Sequence, residues 1–414
     1  MNKAANASAN AAKGPTNAVD KKVVLAYSGG LDTSVMIAWI KEKYGLSTVA
    51  VLIDAGRAAG LEEHRQKALT IGAVEAVVVD AKEEFAQDFI LPALAANALY
   101  EDKYVLVSAL SRPLICKKMV EAAHESGAGT IAHGCTAKGN DQVRFDLGIR
   151  SLDPSLKILA PAREWNMTRE QALDYAAERG IPIPLKKDSP YSIDENLWGR
   201  TVECGPLEDP WLDPPEDAFA VTAAPVAAPD EPAYMEITFE AGVPAALNGM
   251  KLPLVDLINA VDALAGAHGY GRVDMMENRL VGIKSREVYE TPGALALIMA
   301  HKEIEDITLP RELLHFKRPL EQKFADMTYN GGWYDPLMDA LRAFMAETQK
   351  RVSGDVRLKF FKGSCTVSGR KSPNSLYDFG LATYGGEDAF SHDAATGFCE
   401  LWGLPLEVWA KKSK

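Results

Sequence analysis

The residues best suited to chemistry stand together at Ala26, Tyr27, Ser28, Gly29, Gly30, Leu31, Asp32, Thr33 and Ser34. Adjacent glycines let main-chain N–H groups approach an anion with no Cβ in the way. A helix starting there adds about half a positive charge at its first turn. Ser28, Thr33 and Ser34 add hydroxyl donors, although Ser and Thr at such a position also serve as ordinary helix caps. The combination points to a cradle for phosphate. The chain lacks G-x-x-x-x-G-K-[ST] and G-x-G-x-x-G, which excludes the loops of β–γ-hydrolysing NTPases and of dinucleotide binders. A second polar stretch, residues 133–146, holds Gly134, Thr136, Lys138, Asn140, Asp141 and Arg144. Lys138 can balance a phosphate, Asp141 can accept from an amine, and Arg144 can clasp a carboxylate with two parallel hydrogen bonds.

Both stretches need rigid supports, and the hydrophobic pattern supplies them. The apolar run Val23–Tyr27 stops just before the glycines, and similar runs occur at Thr48–Ile53, Ala76–Val79 and Thr130–Ala132. Helical patterns separate them at Val35–Tyr44 and Leu114–Glu125. Fully apolar strands alternating with helices predict an α/β domain whose parallel sheet is covered on both faces. Ligands then bind beyond the carboxyl ends of the strands, where both polar stretches fall. Thr168 followed by Gln171 predicts a capping box that opens a helix ending near Gly180.

Residues 205–232, with seven prolines, seven acids and no Lys or Arg, read as a loop-like surface excursion rather than a packed element. Beyond it, period-two alternation at Tyr234–Phe239 and strand patterns at Val356–Phe361 and Ser364–Ser368 accompany helical patterns at Leu254–Ala265 and Leu337–Val352. The second region is therefore α+β and antiparallel. Residues 1–20 are expected to be a disordered tail.

The 414 residues carry a net charge of −12, which argues against a nucleic-acid partner. No apolar run reaches the about 20 residues of a membrane span, and no secretory or transit signal is present. Five scattered cysteines without a C-x-x-C pair argue against a disulfide framework, a zinc site and thiol-disulfide chemistry. A cytoplasmic protein is expected.

The strand-to-helix segment SGG-x-D-[ST] resembles the pyrophosphate loop (PP-loop) of the N-type ATP pyrophosphatases. Their members transfer AMP to a substrate oxygen and release pyrophosphate. AYSGGLDTS, LYEDKY (99–104), ALSRPLICK (109–117), KGNDQVRF (138–145), YSIDENLWGR (191–200) and ENRLVGIKSREVYETP (277–292) follow in this order. Together they resemble the argininosuccinate synthase family from about Val23 to beyond Gly380. The resemblance implies a carbon–nitrogen ligase that joins L-citrulline to L-aspartate, with ATP and Mg²⁺, through a citrullyl-adenylate.

It also implies residue roles. Residues 26–34, Ile53 and Gly134 match the ATP positions. Tyr104, Ser108, Asn140, Arg144, Ser192, Thr201, Glu277 and Tyr289 match citrulline positions, while Thr136, Asn140 and Asp141 match aspartate positions. No side-chain acid–base catalyst and no protein metal site are implied; Asp32, Lys138 and Asp141 position the reactants, and Asp32 helps to place Mg²⁺ or its waters. Implied domains are a nucleotide-binding unit (21–186), a synthetase unit (187–390) and a C-terminal oligomerisation tail (391–414) of a homotetramer. The chain departs from the family pattern at Cys135, Ala137 and Thr201. Two other readings stay open: a pyrophosphate-loop enzyme of tRNA thiolation or glutamine-dependent amidation, and a silent homologue that only binds.

Overall fold

Val23, Val24 and Leu25 are wholly buried because the strand they form is sandwiched between helices. The computed structural model describes residues 21–165, 167–183, 190–385 and 389–413. The expected tail at residues 1–20 and the expected boundary near 186 lie outside the described residues. Strands β1 (Lys22–Ala26), β2 (Ser47–Asp54), β3 (Glu75–Asp80), β4 (Thr130–Ala132) and β5 (Lys157–Leu159) form a sheet in the order β3-β2-β1-β4-β5. All its pairings are parallel. The order reverses between β1 and β4, so the loops leaving these two strands diverge and open a crevice. Helix α1 (Leu31–Tyr44) starts directly after the glycines, and α2 (Leu61–Ile71) follows β2.

Thr168 and Gln171 make the predicted capping box, each side chain bonding the other's main-chain N–H. The helix predicted at Leu114–Glu125 begins earlier and runs Val107–Ser126, passing through Pro113. Periodicity alone missed those first two turns because Pro113 interrupts the sequence pattern there.

Beyond residue 190 the pairings are antiparallel. Strands β6 (Ser192–Asn196), β7 (Gly199–Glu203), β11 (Arg272–Asn278) and β12 (Lys284–Glu290) form a four-stranded sheet, ordered β11-β12-β7-β6. Strands β8 (Ala233–Glu240), β9 (Val243–Leu247), β10 (Met250–Lys251), β13 (Gly354–Phe361) and β14 (Ser364–Lys371) form a five-stranded one, ordered β10-β9-β8-β13-β14. The largest apolar core joins the two halves: Phe85, Phe89, Leu106 and Leu110 pack in one cluster with Trp198, Phe324 and Trp333. Gly56, at φ +98°, lies so close to the second half that a Cβ would sit 2.8 Å from the Leu197 main-chain nitrogen.

One expectation is corrected. Residues 205–232 are irregular but not a detached excursion, because Leu207, Ala218, Thr222 and Ala228 are buried. The cause is Glu290, fully buried at the end of β12. Its carboxylate accepts from the main-chain N–H groups of Ala220, Val221 and Thr222 and from Arg200. A buried carboxylate needs several donors, and this proline-rich stretch has unpaired N–H groups to give.

The C-terminal helix His392–Lys412 buries none of its residues. Trp402 and Trp409 are 73% and 70% exposed.

Candidate active site

The two polar stretches meet as expected, at the carboxyl ends of β1 and β4. Gly30 caps α1 in an extended conformation and Ser34 N–H bonds back to its carbonyl. Ser28 Oγ lies 3.1 Å from Thr33 Oγ1 and 3.4 Å from Gly30 N. Gly29 adopts φ +77°, where a side chain would be strained. The loop thereby turns its main chain, not a side-chain cation, toward the crevice. Burial raises the Asp32 carboxyl pKa, with Arg169 opposing.

A single cavity of about 590 Å³ runs from this loop across the sheet edge to β6, β7 and β11. Of the predicted residues, Ala26, Tyr27, Ser28, Gly30, Leu31, Asp32, Thr33, Ile53 and Gly134 line its nucleotide end. Tyr104, Ser108, Thr136, Asn140, Asp141, Arg144, Ser192, Thr201 and Glu277 line the remainder. Gly29, Ser34, Lys138 and Tyr289 do not line it. Ser34 is wholly buried with its Oγ 3.1 Å from the Tyr27 hydroxyl, so its expected contribution as a surface donor is replaced by an internal bond. Lys138 is exposed outside the cavity.

The substrate end is a lattice of paired charges. Asp141 receives Arg112 at 2.7 Å and Arg144 at 2.8 Å, and Arg112 also reaches Asp194 at 2.5 Å. Burial would raise the Asp141 carboxyl, but the two guanidiniums outweigh it and hold the group well below the usual carboxylate range. Asp141 is therefore a fixed anion already shared by two arginines. Arg144 is 5% exposed, donates through Nε to the Tyr329 carbonyl at 2.8 Å, and lies 4.7 Å from the Tyr329 ring centre. Its buried Nη2 has no partner among the described residues. One nitrogen of this cavity-lining guanidinium is thus left without a partner.

Glu277 is 1% exposed and accepts from the hydroxyls of Tyr289 and Tyr329 and, at 3.3 Å, from Asn140 Nδ2. Burial, then the nearby Glu287 charge, pushes its pKa up to about 7. Tyr289 donates to Glu277 and lies 3.0 Å from Glu287, with its ring stacked on Tyr104 at 4.4 Å. Register explains the cluster: Tyr289 on β12 faces Thr201 on β7 and Val273 on β11, and Ser285 faces Glu277. Tyr104 accepts from Ser108 N–H at 2.9 Å, and Ser108 Oγ lies 3.4 Å from Thr201 Oγ1. Ala137 is not among the residues with positive φ, so alanine there imposes no backbone strain.

Sequence reasoning did not single out Arg112, Asp194, Glu203, Arg279 and Glu287, all of which line the cavity. Arg279 joins Glu203 at 2.5 Å to Glu287 at 3.1 Å. The alternation Ser285, Glu287, Tyr289 along one strand face was the signal available.

Sheet order and cleft together define a class: an ATP-using α/β domain of the pyrophosphate-loop kind, completed by an antiparallel α+β partner. Residues 22–182 match the model described as arginosuccinate synthase N-terminal HUP domain, and residues 191–409 match the arginosuccinate synthase C-terminal domain. Curated relatives named argininosuccinate synthase include one from Streptococcus suis (strain 05ZYH33), 58% identical over 95% of this chain and 99% of that protein. Another, from Bacillus subtilis (strain 168), is 59% identical over 94% of this chain and 96% of its own length. The chain belongs to the argininosuccinate synthase family.

Proposed function

We propose that this cleft ligates L-citrulline and L-aspartate to argininosuccinate while cleaving ATP to AMP and pyrophosphate. The observation that carries the reading is one continuous cavity joining a main-chain phosphate cradle to the Arg144, Asn140 and Glu277 cluster. The loop grips the β- and γ-phosphates, leaving the α-phosphorus open to the ureido oxygen of citrulline. That oxygen attacks the α-phosphorus and pyrophosphate leaves. The aspartate amine then adds to the ureido carbon, a proton is released, and AMP departs with the former ureido oxygen. Fixed orientation of this sort can supply ~7–11 kcal/mol of the barrier reduction.

Arg144, with its spare Nη2, is suited to the citrulline carboxylate. Ionised Glu277 is suited to its ammonium, with Tyr104, Ser108, Ser192 and Thr201 lining the same pocket and Tyr289 supporting Glu277 and Tyr104 from behind. Asn140 reaches both amino acids, and Thr136 and Asp141 face aspartate. Among the described residues no cluster of three or more metal-ligating side chains exists. The lone Asp32 at the loop fits a Mg²⁺ held mainly by phosphate oxygens and water. When bound, Mg²⁺ offsets charge on the phosphates.

We further assign residues 21–186 to nucleotide binding, 187–390 to the synthetase unit and 391–414 to assembly of a cytoplasmic homotetramer. The exposed tryptophans of the last helix support that assembly, and a sedimentation measurement tests it. Pyrophosphate release, measured with ATP-Mg and each amino acid omitted in turn, tests the activity. Release should require citrulline; release indifferent to citrulline contradicts the reading. The lattice of buried, amino-acid-sized charge partners favours this ligase over a thiolation or amidation enzyme.

A further inference from the structure

The pyrophosphate loop contains no Lys or Arg, so its grip depends on which way its peptides face. The peptide between Gly29 and Gly30 is the least restrained by side chains. With no Cβ on either side, little steric resistance opposes its rotation, and a rotated peptide would present a carbonyl to the phosphates instead of an N–H. Something outside the loop must hold it.

Two side chains from α2 are placed to do so. Lys67 Nζ donates to the Gly29 carbonyl at 2.9 Å. His64, three residues earlier on the same helix face, lies against Gly29 so closely that a Cβ there would be 2.4 Å from its ring. In a planar trans peptide the C=O and the next N–H point in opposite directions. Drawing the Gly29 carbonyl toward α2 therefore turns the Gly30 N–H away from α2 and into the loop, where it lies 3.4 Å from Ser28 Oγ. Gly30 and Ser28 both line the cavity, whereas Gly29 does not.

We propose that Lys67 is a positioning residue for the ligation reaction, clamping the Gly29–Gly30 peptide so that the Gly30 N–H stays directed at the departing pyrophosphate. His64, on the same face of α2, packs its ring against Gly29. The inference rests on the phosphate-loop reading above. It explains why an α-helix otherwise remote from the substrates sends a half-buried lysine to a main-chain oxygen rather than to solvent.

Lys67→Met keeps the length of the side chain and removes the donor; Lys67→Arg keeps a donor. Pyrophosphate binding by calorimetry, steady-state kinetics and Tm are measured on both and on the unaltered protein. We expect K67M to weaken pyrophosphate binding and lower kcat by about tenfold or more. The KM for citrulline should stay within about twofold, and K67R should recover most of the loss. The proposal is overturned if K67M binds pyrophosphate like the unaltered protein, or if K67R is no better than K67M. It is also overturned if pyrophosphate and citrulline binding fall together in step with Tm, because Lys67 is then merely structural. Failure of the unaltered protein to release pyrophosphate in response to citrulline would instead contradict the functional reading itself.

Discussion

The two ends of the cleft hold their ligands by opposite means. At the nucleotide end, residues 26–34 offer main-chain groups, the hydroxyls of Ser28 and Thr33 and one acid, with no basic side chain. At the amino-acid end, Arg112, Arg144 and Arg279 are already engaged with Asp141, Asp194, Glu203 and Glu287. A polyphosphate is a diffuse anion that a turn of N–H groups can follow, so backbone conformation decides binding there. A zwitterionic amino acid presents opposite charges a few bonds apart. Recognising it takes fixed charges of both signs that do not collapse on one another. Mutual pairing keeps them apart in a defined lattice. Backbone changes should therefore damage one end, and side-chain and pH changes the other.

The largest effect is expected from Arg144→Ala. It strips one of two arginine partners from Asp141, leaving Arg112, and costs about 1–3 kcal/mol in urea unfolding. In the fraction that stays folded, citrulline use should fall far more than ATP binding; equal losses would erase the contrast between the ends. Gly29→Ala should come next. Positive φ and the His64 ring together impose about 1–3 kcal/mol of local strain. We expect kcat/KM for ATP to fall by about tenfold to a hundredfold, while citrulline KM hardly changes. A normal ATP profile would mean the loop does not act through its backbone.

A smaller, pH-dependent effect belongs to Glu277. Its folded pKa of about 7 lies above its ordinary value of 4.5, so the folded state holds this proton more tightly than the unfolded state. Its contribution to stability is complete below about pH 4.5 and is lost as the pH rises through about 7. Citrulline KM should improve over the upper part of that window, as the carboxylate forms. Glu277→Gln should flatten both the stability and the KM profiles; an unchanged KM profile would remove Glu277 from ammonium recognition. The smallest effect should come from Lys138→Ala. This side chain lies exposed outside the cavity, so activity and stability should stay within about twofold and ~0.5 kcal/mol.

The nucleotide end was the more legible in sequence for the same reason. Strand, glycines and helix lie within one short run, and local pattern specifies local geometry. The sheet's apolar runs followed directly from burial on both faces. The amino-acid end is assembled across long separations: Asn140 meets Glu277 and Tyr329, and Arg112 meets Asp194. No spacing rule connects such positions, and only ordered family motifs brought Glu277 and Tyr289 to notice. Arg112 and Arg279 lay inside those motifs yet stayed unassigned, because their carboxylate partners stand on other elements that only the fold brings alongside. Tyr329, in a helix beyond every quoted motif, gave no signal. The proline-rich stretch misled for a related reason: composition reports its irregular backbone but not the buried Glu290 that gathers its N–H groups.

The central claim is that the ureido oxygen of citrulline attacks the α-phosphorus presented by the loop. Citrulline labelled with ¹⁸O at that oxygen, turned over with ATP and aspartate, tests it by mass spectrometry of the products. The label should appear in AMP and be absent from pyrophosphate and argininosuccinate. Unlabelled AMP, or label in pyrophosphate, would contradict the account.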